Sequence, residues 1–346
     1  MSYRIGVDIS GGDFAPKEIF KGALLAKKEL QDQIILIGVK EEIEQQLKIF
    51  NLNKNAFEII EAPEKISMGE PPAIAVRKKK NSSIVIGSKL LKEKKIDAFV
   101  SCGNTGACVC AATLNVGLIE GVERPGIALK IPTKIGVSLL IDVGANIDPK
   151  PIHLFQYGIM ASVYYRVVLN KKNPTVGLLN IGEEETKGPD YARSVHKLFS
   201  TSSIDFVGNV EPKDIFSGVC DCIVCDGYAG NVALKVAEGV AETMGKFLLK
   251  EIKKDWLGKL GLLLILNSIK RFKRIIDYSE YGGAPLLGVD GIVIIGHGRS
   301  NAQAVKNAIK VASKEVAHNL NAEIKKSIDV ICQNKKIQEL LVSQAF

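Results

Sequence analysis

The stretch Ile5-Gly-Val-Asp8-Ile-Ser-Gly-Gly-Asp13 decides the fold. It begins as a short apolar run and ends in a turn that holds two glycines between acids. A continuous apolar run without polar alternation is typical of a strand buried on both faces, as in a parallel sheet. Residues 18–30, directly downstream, combine helical spacing with good helix formers. Together they predict the first strand and helix of a parallel βαβ unit.

The same order of strand and helix continues along the chain. After a first strand at 5–9, further strands are predicted at 34–37, 98–101, 138–142, 176–179, 222–225 and 291–295. The other helices that the spacing predicts most clearly are 84–94, 159–169 and 302–317. No internal repeat or Pro/Ser linker interrupts this order, so residues 1–346 are interpreted as one α/β domain.

Composition limits the class of protein. The chain has 346 residues, is 46% hydrophobic and carries a formal net charge of +8, which excludes a disordered chain. Seven cysteines are too few for a disulfide framework and favour a reducing, cytoplasmic location. The longest apolar stretch near the middle, residues 260–266, is far below the ~20 residues that cross a bilayer. We therefore expect a protein that does not span the membrane.

Residues 240–280 form an unusual basic segment, interpreted as an inserted helical arm. Positions 244–278 alone contribute +6 of the net charge of +8. Apolar residues recur there every three to five positions, with further apolar residues between some of them. They include Phe247, Leu248, Ile252, Trp256, Leu260, Leu264, Phe272 and Ile276. The pattern is typical of an amphipathic helix on an anionic membrane, or of a hairpin that forms a dimer. A second basic run, Arg77 to Lys80, could receive an acidic protein or be a solvated face.

Three strand-to-turn junctions share a glycine-rich design. They are Asp8-Ile-Ser-Gly-Gly-Asp13, Ser101-Cys-Gly-Asn-Thr-Gly106 and Asp226-Gly-Tyr-Ala-Gly-Asn231. Glycines let a backbone approach a ligand closely, and the helix that follows offers free N–H groups to an anion. Each could be an ordinary turn, but together they indicate a phosphate-bearing ligand. None has the sequence of a phosphate-binding loop of a nucleoside triphosphatase or of a complete dinucleotide-binding turn.

Three further junctions are expected to border the same crevice. They are Asp142-Val-Gly-Ala-Asn146, the stretch from Asn180 to Gly188, and His297-Gly-Arg-Ser-Asn301. Lys187 is a cation for a phosphate, or the partner of Glu183 or Glu185 in a surface ion pair. His297 lies between glycines, which favours a role in acid–base chemistry. His153, His196 and His318 are interpreted as structural or surface residues.

The cysteines do not predict a metal site. Cys220, Cys222 and Cys225 alternate through a strand, and the second pair that zinc sites usually have is missing. Cys102, Cys108 and Cys110 are interpreted as small apolar residues.

Taken together, these junctions resemble the PlsX family, the phosphate acyltransferases. The main matching stretches are Gly11-Gly-Asp13, Glu70-Pro-Pro72, Ser101 to Ala107, Asp142 to Asn146, Leu178 to Gly188, Tyr281 to Gly288 and His297 to Asn301. The resemblance implies a Rossmann-like α/β/α sandwich with a mostly parallel sheet. It also implies transfer of a fatty acyl group from acyl-acyl-carrier-protein to inorganic phosphate, in phospholipid synthesis.

The resemblance also implies partners and a location. It implies a homodimer, peripheral contact with an anionic membrane and a downstream glycerol-phosphate acyltransferase; no cofactor and no metal are expected. The arm carries too much leucine for a stacking surface, so nucleic acid is not an expected partner. Where the family usually has Ala-Met before the glycines and His after Asp13, this chain has Ile9, Ser10 and Phe14, so no role of that histidine carries over.

The reaction assigns roles to the candidate residues. The catalytic candidates are Lys187 facing phosphate, His297 as the acid for the departing thiol, and Asn231 as a donor to the oxyanion. The binding candidates are Asp8, Gly11, Gly12, Asp13, Asn104, Thr105, Gly106, Asp142, Asn146, Asn180, Asp226 and Asn301. The four aspartates are expected to hold the donors in place. The rival functions are a phosphotransacetylase-type enzyme that uses acyl-coenzyme A and a non-catalytic membrane scaffold; a decarboxylating dehydrogenase is disfavoured.

Overall fold

The computed structural model describes residues 2–254, 256–276 and 282–343, without the side chains of residues 263, 266, 270–276 and 343. Residues 277–280 of the arm, Tyr281 of the family motif, Asp255, and the side chains of Phe272 and Ile276 therefore lie outside what is described below.

The described residues form eleven strands and twelve α-helices. The strands are β1 Arg4–Asp8, β2 Gln33–Gly38, β3 Glu58–Glu61, β4 Ala98–Ser101, β5 Gly126–Thr133, β6 Gly136–Ile141, β7 Val176–Leu179, β8 Phe206–Val210, β9 Cys222–Val224, β10 Ala284–Leu287 and β11 Ile292–Ile295. The helices are α1 Lys17–Glu29, α2 Lys40–Ile49, α3 Pro72–Lys78, α4 Ser83–Lys92, α5 Thr105–Ala111, α6 Pro151–Val168, α7 Asp190–Thr201, α8 Gly227–Ile252, α9 Trp256–Ile276, α10 Ala302–Ala317, α11 Leu320–Cys332 and α12 Lys335–Ser343.

One sheet joins all of these strands, in the order β3-β2-β1-β4-β11-β10-β5-β6-β9-β7-β8. Strands β3, β2, β1, β4 and β11 are mutually parallel, and so are β6, β9, β7 and β8. Between these groups the pairs β11–β10, β10–β5 and β5–β6 are all antiparallel. Three reversals make β6 antiparallel to β11. The two parallel halves therefore run in opposite directions, and their carboxyl ends lie at opposite edges of the sheet.

Helices cover both faces of the sheet. On one face, residues of β1 and β2 such as Ile5 and Leu36 join a core with α1, α2, α6, α7, α10 and α11. On the other face, Ile35 and Phe99 join a core with α3, α4 and α5. Neighbouring residues of β2 thus alternate between two apolar cores, which explains the continuous apolar runs of the sequence. The α/β sandwich with a mostly parallel sheet is confirmed.

The predicted strands and helices are all present, with shifted ends; the helix predicted at 159–169, for example, begins at Pro151. Strands β3, β5, β8 and β10 were not predicted. Prolines in β5 and β10 argue against strands, because proline lacks the N–H that a sheet interior uses. The turns expected to border one crevice follow strands of both halves, so the sheet alone places them at opposite edges.

An acidic and a basic side chain are buried near each other beneath the sheet. Glu315 of α10 is 1% exposed and Lys130 of β5 is 9% exposed. Burial raises the pKa of Glu315 to about 8, and the positive charge of Lys130 opposes that rise. Burial likewise lowers the pKa of Lys130, opposed by Glu315. Each group, when it is charged, therefore offsets part of the cost of ionising the other.

The arm predicted at 240–280 corresponds to the second half of α8 and to α9. The buried residues of α8, Gly227 and Gly230, and the partly buried Ala233 and Leu234 that pack on the core all lie in its first turns, so the rest of the helix leaves the body. Apolar side chains remain exposed on both arm helices, among them Met244, Phe247, Leu248, Trp256, Leu260 and Leu264. None of the helices in the described part of the chain combines the length and the apolar character that a membrane span requires.

Candidate functional site

Asp8 organises the turns at the ends of β1 and β4. Its carboxylate is 1% exposed and accepts hydrogen bonds from the Ser101 hydroxyl at 2.7 Å and the Ser10 backbone N–H at 3.0 Å. The Ser101 oxygen in turn accepts from the Gly103 N–H at 3.1 Å. Burial raises the pKa of Asp8, while these donors oppose the rise. Asp8 therefore holds two turns together and is not exposed to a ligand.

Gly11 and Gly12 allow the turn after β1 to approach its neighbours. A Cβ on Gly11 would lie 2.7 Å from the backbone nitrogen of Gly103, closer than side chains tolerate. Gly12 has φ +106°, in the region that favours glycine. The Asp13 N–H donates to the Gly298 carbonyl at 2.7 Å, which joins this turn to the one after β11. Three turns from β1, β4 and β11 thus form one cluster.

Asn104 connects this cluster to the loop of residues 67–70. Its Oδ1 accepts from the Ala107 N–H at 3.0 Å and caps α5. Its Nδ2 lies 3.0–3.3 Å from the carbonyl oxygens of Ser67, Met68 and Glu70. The side chain expected to contact substrate is thus occupied in positioning a loop. The neighbouring Thr105 is exposed and Gly106 half-buried at the same turn.

His297 lies half-buried in the turn after β11. Its Nδ1 accepts from the Arg299 N–H at 3.1 Å. Burial lowers the pKa of His297; the positive charges of Lys235 and Arg299 lower it further, and Glu238 and Asp13 oppose them. Since Lys235 and Glu238 belong to α8, that helix passes within electrostatic range of the turn.

Asp142 organises a second cluster, at the end of β6. Its oxygens accept from the backbone N–H groups of Ile127, Gly144, Ala145 and Asn146 at 2.7–3.1 Å. The Asn146 side chain donates to the Pro125 carbonyl at 2.6 Å. Both residues therefore shape the loop that α8 meets.

Helix α8 begins against this loop. The Gly227 N–H donates to the Asn146 carbonyl at 2.8 Å, and Gly230 packs directly on the Asp142 carbonyl, where a Cβ would not fit. Asn231 is exposed, and its side chain lies 3.9 Å from the Cβ position of Gly144. Asn231 is thus available to a ligand at the start of α8, beside a glycine turn.

Asp226 links this cluster to α7. Its Oδ1 accepts from the Ala229 N–H at 2.8 Å as the N-cap of α8, and its Oδ2 accepts from the Tyr191 hydroxyl at 3.1 Å. Burial, followed by the charge of Asp226, raises the pKa of Tyr191 to about 12. Sequence analysis missed Tyr191; its position just after the turn 180–188 is the signal that could have found it.

Asn180 and Lys187 shape the turn after β7. The Asn180 Nδ2 donates to the Lys187 carbonyl at 3.0 Å, and its Oδ1 accepts from the Ile181 N–H. The Lys187 side chain is exposed, and among the described residues it forms no ion pair with Glu183 or Glu185. Glu185 lies 3.6 Å from His196 instead. The ammonium group of Lys187 is thus not committed to either acid.

The first turns of α8 connect the two clusters. From Gly227, at the Asp142 loop, to Lys235, near His297, the helix rises about 12 Å. This helix therefore brings together turns that the sheet alone would place at opposite edges. Asn301, the last candidate of the His297 turn, caps α10 through the Ala304 N–H at 2.9 Å.

The cysteines are free thiols, and burial raises the pKa of Cys102, Cys108 and Cys220 to about 12. Within the described ranges, no three His, Cys, Asp or Glu residues gather in a way that could hold a metal ion.

Comparison with known proteins identifies the family. Residues 3–323 match the model of the family described as "Fatty acid synthesis protein". The chain is 49% identical to the phosphate acyltransferase of Dictyoglomus thermophilum, over 95% of this chain and 98% of the relative. It is 47% identical to that of Pelotomaculum thermopropionicum, over 95% and 96%. The phosphotransacetylase structure from Streptococcus pyogenes has the same fold, with TM-score 0.63 and 16% identity over 91% of this chain and 94% of that one. The chain therefore belongs to the fatty acid synthesis protein family, the family of acyltransferase enzymes that its sequence resembles.

Proposed function

We propose that this enzyme transfers a fatty acyl group from acyl-acyl-carrier-protein to orthophosphate and releases an acyl phosphate. The observation that carries this proposal is the α8 junction: this helix begins at the Asp142 loop and, about 12 Å further along, carries Lys235, whose charge acts on His297. A helix that links one turn cluster to this histidine suits a thioester held beside a small anion. The relatives named phosphate acyltransferase support the reaction class.

The chemistry needs anion binding more than a base. A phosphate oxygen attacks the thioester carbonyl carbon, the carbon–sulfur bond breaks, and the thiolate takes up a proton equivalent to the one hydrogen phosphate loses. The second pKa of a phosphate ester is about 6, so the nucleophile is largely dianionic near neutral pH. The site must therefore bind the phosphate and stabilise the oxyanion, for which one donor can contribute ~3 kcal/mol.

Three side chains suit these roles. Asn231 is an exposed neutral donor beside the Asp142 loop, and Lys187 is an exposed cation on the neighbouring turn. His297 lies within electrostatic range of Lys235 on α8, and its imidazolium can protonate the departing thiolate. Asp8, Asp142 and Asp226 hold the backbone around them and do not approach the phosphate.

A direct assay tests the reaction and its donor. Purified enzyme is incubated with phosphate and either palmitoyl-acyl-carrier-protein or palmitoyl-coenzyme A, and acyl phosphate is trapped with hydroxylamine. We expect hydroxamate mainly from the carrier-protein donor. Preference for the coenzyme A donor would indicate a phosphotransacetylase-type enzyme, and no hydroxamate from either donor would indicate a non-catalytic scaffold.

A variant tests the phosphate site. Lys187→Ala is expected to raise the phosphate KM and lower kcat, because it removes a cation from the nucleophile. Lys172→Ala, which removes another exposed lysine, is the matched control. Equal phosphate kinetics in the two variants would remove Lys187 from the site.

The arm is proposed to contact an anionic membrane, where the acyl phosphate would reach a downstream glycerol-phosphate acyltransferase. The exposed Trp256, Leu260 and Leu264 and the lysines between them support this role. A homodimer that covers the same apolar residues is the alternative.

A further inference from the structure

We propose that Met68, with Phe14, forms the binding surface for the acyl chain of the thioester beside His297. This inference rests on the proposed function and locates one part of its substrate. The two side chains are exposed apolar residues on two different segments, with exposed fractions of 44% and 48% respectively.

Met68 lies directly over the His297 turn. Its Cε is 2.8 Å from the Cβ position of Gly298, so the thioether side chain covers the backbone next to the histidine. A side chain on residue 298 would displace it. Met68 therefore fills space that is free because Gly298 has no Cβ.

The loop that carries Met68 is held in place from both sides. The Asn104 amide donates to it, with its Nδ2 3.0 Å from the Met68 carbonyl. Glu70 accepts from the Ser67 N–H and from the Lys79 ammonium, both at 2.7 Å. An exposed methionine on an anchored loop is positioned before any ligand arrives, which lowers the entropy that binding must overcome.

Phe14 belongs to a segment that is bonded to the same turn. It follows Asp13, whose N–H donates to the Gly298 carbonyl at 2.7 Å. Single exposed apolar residues are ordinary on protein surfaces. Here, however, each of two segments that contact the His297 turn contributes one.

The direction of the acyl chain follows from the chemistry. In the proposed reaction, donors surround the carbonyl oxygen and His297 faces the sulfur, so the alkyl chain leaves the carbonyl carbon in a third direction. An alkyl chain there needs an apolar contact, and the flexible, polarisable side chain of methionine suits chains of variable shape. We therefore assign Met68 a role in selecting long acyl chains.

The test measures chain-length selectivity. Acetyl, octanoyl and palmitoyl thioesters of one carrier protein are compared by kcat/KM in the wild type, Met68→Ser and Met68→Leu. Serine is expected to lower the palmitoyl-to-acetyl ratio about tenfold, the effect of about two methylene groups losing an apolar contact. Leucine should restore most of the ratio. Ile49→Ser, which removes a 59% exposed apolar residue on α2, should leave the ratio unchanged.

The outcomes separate this inference from the proposed function. An unchanged ratio in Met68→Ser, with an active wild type, would overturn the inference alone, even if all rates fell together. Wild type that forms no acyl phosphate from any chain would overturn the proposed function instead. Met68→Gln, which keeps the length of the side chain, provides a second polar variant, and urea unfolding establishes that each variant folds.

Discussion

Asn104→Asp is the substitution that best tests how the site is held together. An aspartate keeps the oxygen that caps α5, because Asp and Asn are equally good N-caps. It replaces the Nδ2 donor, however, by an oxygen that would face the three carbonyls of Ser67, Met68 and Glu70 at 3.0–3.3 Å. The change thus removes the anchor of the loop and leaves the helix cap in place.

The expected loss follows from these contacts. The two N–H bonds of the amide reach the three carbonyls, and each hydrogen bond contributes about 0.5–1.5 kcal/mol. Asn104 is only 6% exposed, so the new carboxylate is also desolvated among carbonyl oxygens. We expect the free energy of unfolding to fall by about 2–4 kcal/mol. Because burial raises the pKa of such a carboxyl, the loss should shrink as the pH falls and the group binds a proton.

The assay is urea unfolding at neutral and mildly acidic pH, with Asn301→Asp as the matched control. Asn301 also caps a helix through its Oδ1, at 2.9 Å from the Ala304 nitrogen, but it is exposed. Its replacement should change stability by less than about 0.5 kcal/mol. If both variants unfold at the same urea concentration at neutral pH, the carbonyl contacts of Asn104 do not stabilise the loop.

Three further predictions concern charge, acid catalysis and the arm. Lys130→Met should lower the free energy of unfolding more at pH 9 than at pH 7, because Glu315, whose pKa is about 8, carries most of its charge only at the higher pH, and Glu315→Leu in the same chain should remove this pH-dependent loss; chemical denaturation measures both, and purely additive losses would contradict coupling. His297→Ala should lower kcat most below pH 6.5, because the lowered pKa of the imidazole means that the ring is protonated only there. A pH profile of kcat parallel to that of the wild type would show that His297 is not the acid. Leu260→Glu with Leu264→Glu should abolish flotation with anionic vesicles; undiminished flotation would show that these leucines do not contact lipid.

Much of the architecture could be predicted from local pattern. The runs around Val7 and Ile35 are buried on both faces and therefore read as strands, and the helices between them carry their own spacing. The direction of the second half could not be predicted, because it depends on the antiparallel strands β5 and β10. Their prolines, Pro132 and Pro285, and the buried Lys130 obscure those strands in the sequence.

The sequence predicted which turns form the site better than it predicted what each residue does there. Glycine turns identified where the chain would gather, since close approach requires residues without a Cβ. Asn104 was expected to contact substrate, but its hydrogen-bonding groups hold a helix and a loop. Met68 and Tyr191 went unnoticed because neither belongs to a polar turn. Their contacts exist only in three dimensions.

The middle of the sheet is built from the end of the chain. Strands β10 and β11, at residues 284–295, fill the gap between β4 and β5, which precede them by more than 150 residues. While the chain emerges from the ribosome, β4 and β5 therefore each keep an unpaired edge until residues 284–295 have been synthesised. Unpaired strand edges can form incorrect strand pairs between nascent chains. Ribosome stalling or truncation shortly before residue 284 would thus yield an aggregating product, although most of the chain is already present.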